Sequence, residues 1–183
     1  ILFTARNPLE RAFSHYWHEK KKDRFNFKFE EVLQNYDLFT NWLEPGLYSL
    51  HLKRWMKYFP EEQIKVLFFD DLEEDPGEFL KDVLEFCNLD TNFTPSVLVK
   101  KLNFAEYYRP HKHYKLKRKL ISSIPGARFI VNPIDKLLTK KYKESLDDVS
   151  IDIKNQIINF YYNDICDLEE QTNRDLSHWK KVD

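Results

Sequence analysis

Glycine is nearly absent from this chain: Gly46, Gly77 and Gly126 are the only three in 183 residues. So few glycines leave no G-x-x-x-x-G-K-[ST] loop to cradle phosphates with backbone amides. The sequence also lacks H-E-x-x-H, C-x-x-C and G-x-S-x-G, so a hydrolase or a metal enzyme has no motif to rest on. Cysteine is scarce as well. Cys87 and Cys166 lie far apart and fit no metal-ligand spacing, and the apolar helical surroundings of Cys87 predict a buried free thiol. No apolar run approaches the ~20 residues of a membrane span, and no signal-peptide pattern is visible. Net charge is only −1, which gives no global field for nucleic acid or an anionic membrane. Any basic function must be local.

What remains is ordinary globular material with an aromatic excess. Hydrophobic residues make up 42%, charged residues 32% and aromatics 16%. A chain of 183 residues can bury a real core, and residues 1–183 are expected to form one domain. There is no internal repeat and no low-complexity segment. The sequence opens on Ile1 rather than methionine, with ILFTA reading as a buried strand already under way, so a missing N-terminal portion is expected.

Residues 1–21, ILFTARNPLERAFSHYWHEKK, hold the densest signal. The short strand runs into Arg6. Asn7 can cap a helix by accepting a backbone N–H, and Pro8 suits the first helical position. Leu9, Ala12, Phe13, Tyr16 and Trp17 then share one apolar face, and Ser14 falls beyond its edge with His18 four residues on. A strand therefore delivers a guanidinium to the mouth of a helix, with a hydroxyl and an imidazole in the turns that follow. Forked arginine donors, helix N-terminal amides and a hydroxyl suit an anion, phosphate above all. The plainer reading is that Arg6 pairs with a nearby carboxylate and Ser14 is a surface hydroxyl. His18 can take a proton from an acceptor hydroxyl or amine, or it can be an ordinary surface histidine.

Further along, KFEEVLQNY (28–36) predicts a short helix. The segment after Gly46 keeps helical spacing up to Pro60, with His51 reading as packed beside Tyr48 and Trp55. IKVLFF (64–69) is the best strand in the chain; its two-sided apolarity suggests a parallel strand in a covered sheet. Asp75-Pro76 opens a helix with Phe79, Leu80, Val83, Leu84 and Cys87 inside. A long amphipathic helix over DVSIDIKNQIINFYYNDICDLEEQTN has Ile153, Ile157, Phe160, Tyr161, Ile165 and Leu168 in period. Strands separated by long helical segments predict an α/β fold with a parallel central sheet. The stretch RPHKHYKLKRK (109–119) has six Lys/Arg and no acid. It reads either as a solvated basic loop or as a site for nucleic acid, an acidic glycan or nucleotide phosphates, with Tyr107, Tyr108 and Tyr114 available to stack on a base.

RNPLERAFSHYWH (6–18), GLYSLHLKRWMKYFP (46–60), Asp75-Pro76 and the tail LEEQTNRDLSHW (168–179) occur in this order, and together they resemble the PAPS-dependent sulfotransferases. The heparan-sulfate type and its bacterial relatives are the nearest in pattern. The resemblance spans nearly the whole chain and implies a three-layer fold related to P-loop kinases, with a parallel central sheet flanked by helices. It implies transfer of a sulfuryl group from PAPS to a hydroxyl or amine of a glycan or small metabolite, without metal and without nucleic acid. Arg6 and Ser14 would hold the 3′-phosphate of the nucleotide, and His18 matches a histidine implicated in catalysis in amine-sulfating members. Arg109, Lys112 and Lys115 are the candidates for a basic loop that closes over the nucleotide. The family's K-x-G-T loop for the 5′-phosphosulfate has no counterpart in these residues, and weak or no turnover by this chain is the resulting expectation. Two other readings stand beside this one: a non-catalytic module of the same fold that binds a nucleotide or acidic glycan, and a nucleotide-kinase relative. A cytoplasmic location is expected, with the Golgi lumen as the alternative.

Overall fold

Leu2–Ala5 and Lys65–Phe68 pair in parallel, with Leu2 opposite Lys65 and Ala5 opposite Phe68. We call them β1 and β2. The computed structural model describes residues 1–20, 27–95, 122–123 and 145–182. A parallel pair cannot be joined by a tight turn, and here the crossover is helical: α1 (Pro8–Lys20), α2 (Tyr36–Trp42) and α3 (Tyr48–Trp55). β2 runs directly into α4 (Phe69–Glu74), followed by α5 (Pro76–Phe86) and, later in the chain, α6 (Ile151–Thr172). Short 3-10 turns occupy Phe29–Leu33, Glu44–Gly46, Glu61–Gln63, Leu146–Asp148 and Ser177–Lys180. No helix among the described residues is long and apolar enough to cross a membrane.

Strand alternation divides the burial between two faces. Ala5 and Phe68, with Phe3 and Val66 beside them, join the main core with the inner faces of α1, α3 and α6. Leu67 is buried outside that cluster, as is Leu84 of α5, whose Asp82 lies 3.8 Å from Lys65 of β2. The protein is thus α/β, with a parallel sheet and helices to either side. Aromatic edges knit the α1 region: Phe13 meets Phe29 edge-on at 5.2 Å, and Tyr16 meets Trp42 at 5.7 Å.

α6 meets α3 through more than its apolar stripe. Asp164 accepts from the amides of Ser49 and Leu50 at 3.0 and 2.9 Å, so a carboxylate from one helix caps the N-terminus of another. The Ser177–Lys180 turn then lays Trp179 against Phe68 and Tyr48, with ring centroids 5.9 and 6.4 Å away. Asp70, just past β2, receives the Trp179 Nε1–H at 3.0 Å and lies 2.8 Å from His178 Nε2. Arg174 pairs with Asp71. The tail is therefore clamped to the end of β2.

Several local expectations change. Residues 28–36 are not one helix: Phe29–Leu33 is a 3-10 turn, and Asn35 restarts the chain as α2 by accepting from the Leu38 amide. α3 stops at Trp55, and hydrogen-bonded turns carry the chain on as far as Phe59, just before Pro60. β2 ends at Phe68, and Phe69 already belongs to α4. Cys87 is exposed rather than buried. It follows the last residue of α5, where Asn88 takes a left-handed φ of 55° and the Leu89 amide closes the helix end on Leu84 O. Leu84 alone of the expected inner face of α5 is buried. In α6 the period holds, with Ile157, Tyr161, Ile165 and Leu168 buried, though Ile153 and Phe160 are only partly so.

Candidate functional site

The C-terminal ends of the parallel strands point Arg6 (after β1) and Phe69 (after β2) to one edge of the molecule, the edge where open α/β sheets bind ligands. Arg6 is gripped there on two sides. Its Nε and Nη2 donate to Glu10 Oε2 at 3.1 and 2.9 Å, and its guanidinium carbon sits 4.6 Å above the Phe69 ring. A guanidinium has five N–H donors; Glu10 takes two, which leaves the Nη1 edge for a ligand. The carboxylate pairing that the plainer reading foresaw is present, but it does not use up the arginine.

α1 starts as the sequence predicts. Asn7 Oδ1 accepts from the amides of Leu9 and Glu10 at 3.1 and 3.4 Å, and Pro8 stands at the first position with no N–H to offer. The Arg11 amide bonds to Asn7 O at 2.9 Å. This corrects one expectation: the amides at this helix mouth are already taken, so an anion here would rely on side chains and on the helix dipole.

From Glu10 the helix carries Ser14 and His18 at successive four-residue steps, roughly 6 Å apart on one stripe. Ser14 and His18 are both exposed, and His18 Nε2 lies 4.0 Å from Glu19 Oε1. Arg6, tied to Glu10, stands at the foot of that stripe. Cation, hydroxyl and imidazole thus follow one another up an accessible face, an arrangement that can hold an anion at one end and accept a proton at the other. Arg109, Lys112 and Lys115, with Tyr107, Tyr108 and Tyr114, lie outside the described residues. His51 is half-buried, its Nε2 3.1 Å from Glu44 O, in keeping with a packed histidine.

Three supporting residues had no site role legible in the sequence. Tyr48 is 8% exposed, and its hydroxyl accepts the Arg6 backbone N–H at 3.3 Å. Burial is the main influence on its phenol and pushes the pKa up, with Arg11 and Arg6 pulling the other way. Arg11 leaves α1 on the inner side and donates to Trp42 O. Tyr161, fully buried, donates to Leu43 O at 2.7 Å; desolvation raises its phenol far above the ordinary value, opposed chiefly by Arg11. The signal for Tyr48 was its place in GLYSLH, but only the fold shows that it meets Arg6.

The family model described as sulfotransferase domain matches residues 1–157. The human bifunctional heparan sulfate N-deacetylase/N-sulfotransferase 2 is 27% identical over 100 residues, 49% of this chain and 11% of that protein. The human heparan sulfate glucosamine 3-O-sulfotransferase 5 is 33% identical over 98 residues, 49% of this chain and 28% of that protein. A crystal structure of a sulfotransferase from Alicyclobacillus acidocaldarius shares the fold at a TM-score of 0.63 and 24% identity, over 99% of this chain and 57% of that one. The chain therefore spans little more than half of that structure and a smaller share of the curated relatives.

Proposed function

The chain belongs to the sulfotransferase family, and from that premise we propose that it serves transfer of a sulfuryl group from PAPS to a hydroxyl or amine. Arg6 and Ser14 hold the 3′-phosphate of the nucleotide in this reading. The observation that carries it is the Arg6 guanidinium: fixed by Glu10 and Phe69 at the ligand-binding edge of the sheet, it keeps an open Nη1 edge with Ser14 one turn above its partner. Arg109, Lys112 and Lys115 are proposed to add cations over the nucleotide.

In the transfer, the bond between sulfur and the bridging phosphate oxygen breaks as the acceptor's oxygen or nitrogen bonds to sulfur. The nucleotide leaves as adenosine 3′,5′-bisphosphate and the acceptor gives up a proton. His18, exposed at the top of the stripe, is the proposed recipient of that proton. The acceptor is proposed to be a glycan or a small metabolite, the first in line with the glycan named for the curated relatives. A cytoplasmic location is proposed, with the Golgi lumen as the alternative.

Titration with adenosine 3′,5′-bisphosphate and, separately, with ATP tests the assignment. The bisphosphate should bind more tightly, because a 3′-phosphate is what Arg6 and Ser14 read. Equal affinity, or a preference for ATP, would favour a kinase relative instead.

A further inference from the structure

Resting on the reading of Arg6 just given, we propose that Tyr48 is a positioning residue for the nucleotide's 3′-phosphate: its hydroxyl fixes the backbone amide of Arg6 and so sets where the guanidinium stands. Arg6 is the hinge between β1 and α1, and nothing in either element's own hydrogen bonding holds its N–H. That amide donates to Tyr48 Oη at 3.3 Å, across 42 positions of sequence. The phenol is itself locked. Its ring lies between Phe3 at 6.3 Å and Trp179 at 6.4 Å, and only 8% of the residue is exposed.

Arg11 completes the arrangement from beneath. Its Nη2 donates to Trp42 O, and its Nε is buried with no hydrogen-bond partner among the described residues. Its positive charge acts on both Tyr48 and Tyr161, lowering the two phenols against the effect of burial. Asp164 also acts on both phenols, but its two oxygens are spent on the α3 amides. The hydrogen-bond acceptor of this guanidinium is thus the neutral carbonyl of Trp42. On this account the first arginine of RNPLER contacts the ligand, and the tyrosine of GLYSLH holds that arginine's backbone in place. The two segments are thereby coupled.

Tyr48→Phe removes only the hydroxyl. The readout is the ratio of affinities for adenosine 3′,5′-bisphosphate over adenosine 5′-phosphate, which differ only in the 3′-phosphate. The ratio should fall about three- to tenfold in Tyr48→Phe while affinity for the 5′-phosphate stays unchanged. In an Arg6→Ala background the same substitution should leave the ratio where Arg6→Ala put it. Ile158→Val, which trims the core without touching this network, should keep the wild-type ratio and so controls for simple destabilisation. An unchanged ratio in Tyr48→Phe, or an equal loss for both ligands, overturns the proposal while the Arg6 site stands. A wild-type protein with no preference for the bisphosphate overturns both. Should Tyr48→Phe not fold, hydrogen exchange of the Arg6 amide in the wild type decides: slow exchange supports the tether, and exchange at the free-peptide rate refutes it.

Discussion

Arg6 has to be both neutralised and available, and its surroundings show how one side chain manages this. Glu10 offsets its charge through two hydrogen bonds, Phe69 supports its face, and an edge remains open. Replacing Arg6 by alanine removes charge-assisted bonds to a ligand, at about 2 kcal/mol or roughly 30-fold in affinity for adenosine 3′,5′-bisphosphate; calorimetric titration measures it. The sequence made Arg6 and the Asn7 cap readable, since both depend on neighbours within four positions. Phe69 and Tyr48 were unreadable as parts of the site, because their nearness to Arg6 arises only from the pairing of β1 with β2 and the return of α3. Tyr161 offers a second test at this scale. Its phenol is held well above the ordinary value of 10.0, so the unfolded chain ionises first. Stability is then intact below pH ~10 and declines as pH rises towards the folded value. Thermal melts at pH 9 and pH 11 should show a smaller alkaline loss in Tyr161→Phe than in the wild type.

Elements meet through small, specific constraints laid over broad apolar faces. Gly46 shows this most clearly: a Cβ there would lie 2.8 Å from Tyr161 Oη and 2.9 Å from Cε1, and that phenol is buried and bonded to Leu43 O. Gly46→Ala should cost about 1–3 kcal/mol, as overpacking does in a filled core, read by urea denaturation. The α1 and α6 stripes were visible from their 3.6-residue period, because amphipathic helices announce the face they bury. Element ends were less visible. Asn35 capping α2 and Asn88 turning the chain after α5 are local devices that periodicity does not register, and so Cys87 came out exposed where the apolar pattern put it inside. Asp164 capping α3 from α6 is a pairing across 115 positions, beyond any local reading.

At the largest scale the C-terminal segment is tied to the end of β2. Asp70 binds Trp179 Nε1 and His178, while Asp71 takes Arg174, so the acidic pair after β2 and the RDLSHW segment explain each other. Asp70→Ala strands a buried indole N–H, at about 1–3 kcal/mol. Hydrogen exchange of the β2 amides should quicken along with that loss; unchanged protection would show that Trp179 packing alone anchors the tail. At this scale the order of motifs along the chain announced the family, and the parallel pairing agrees with it.

The account turns on two side chains meeting one phosphate group. A crystal structure with adenosine 3′,5′-bisphosphate bound tests this most directly. The 3′-phosphate oxygens should lie about 2.7–3.2 Å from the Arg6 guanidinium and Ser14 Oγ, beside the Phe69 ring. A nucleotide seated elsewhere, or one whose 3′-phosphate meets neither side chain, would contradict it.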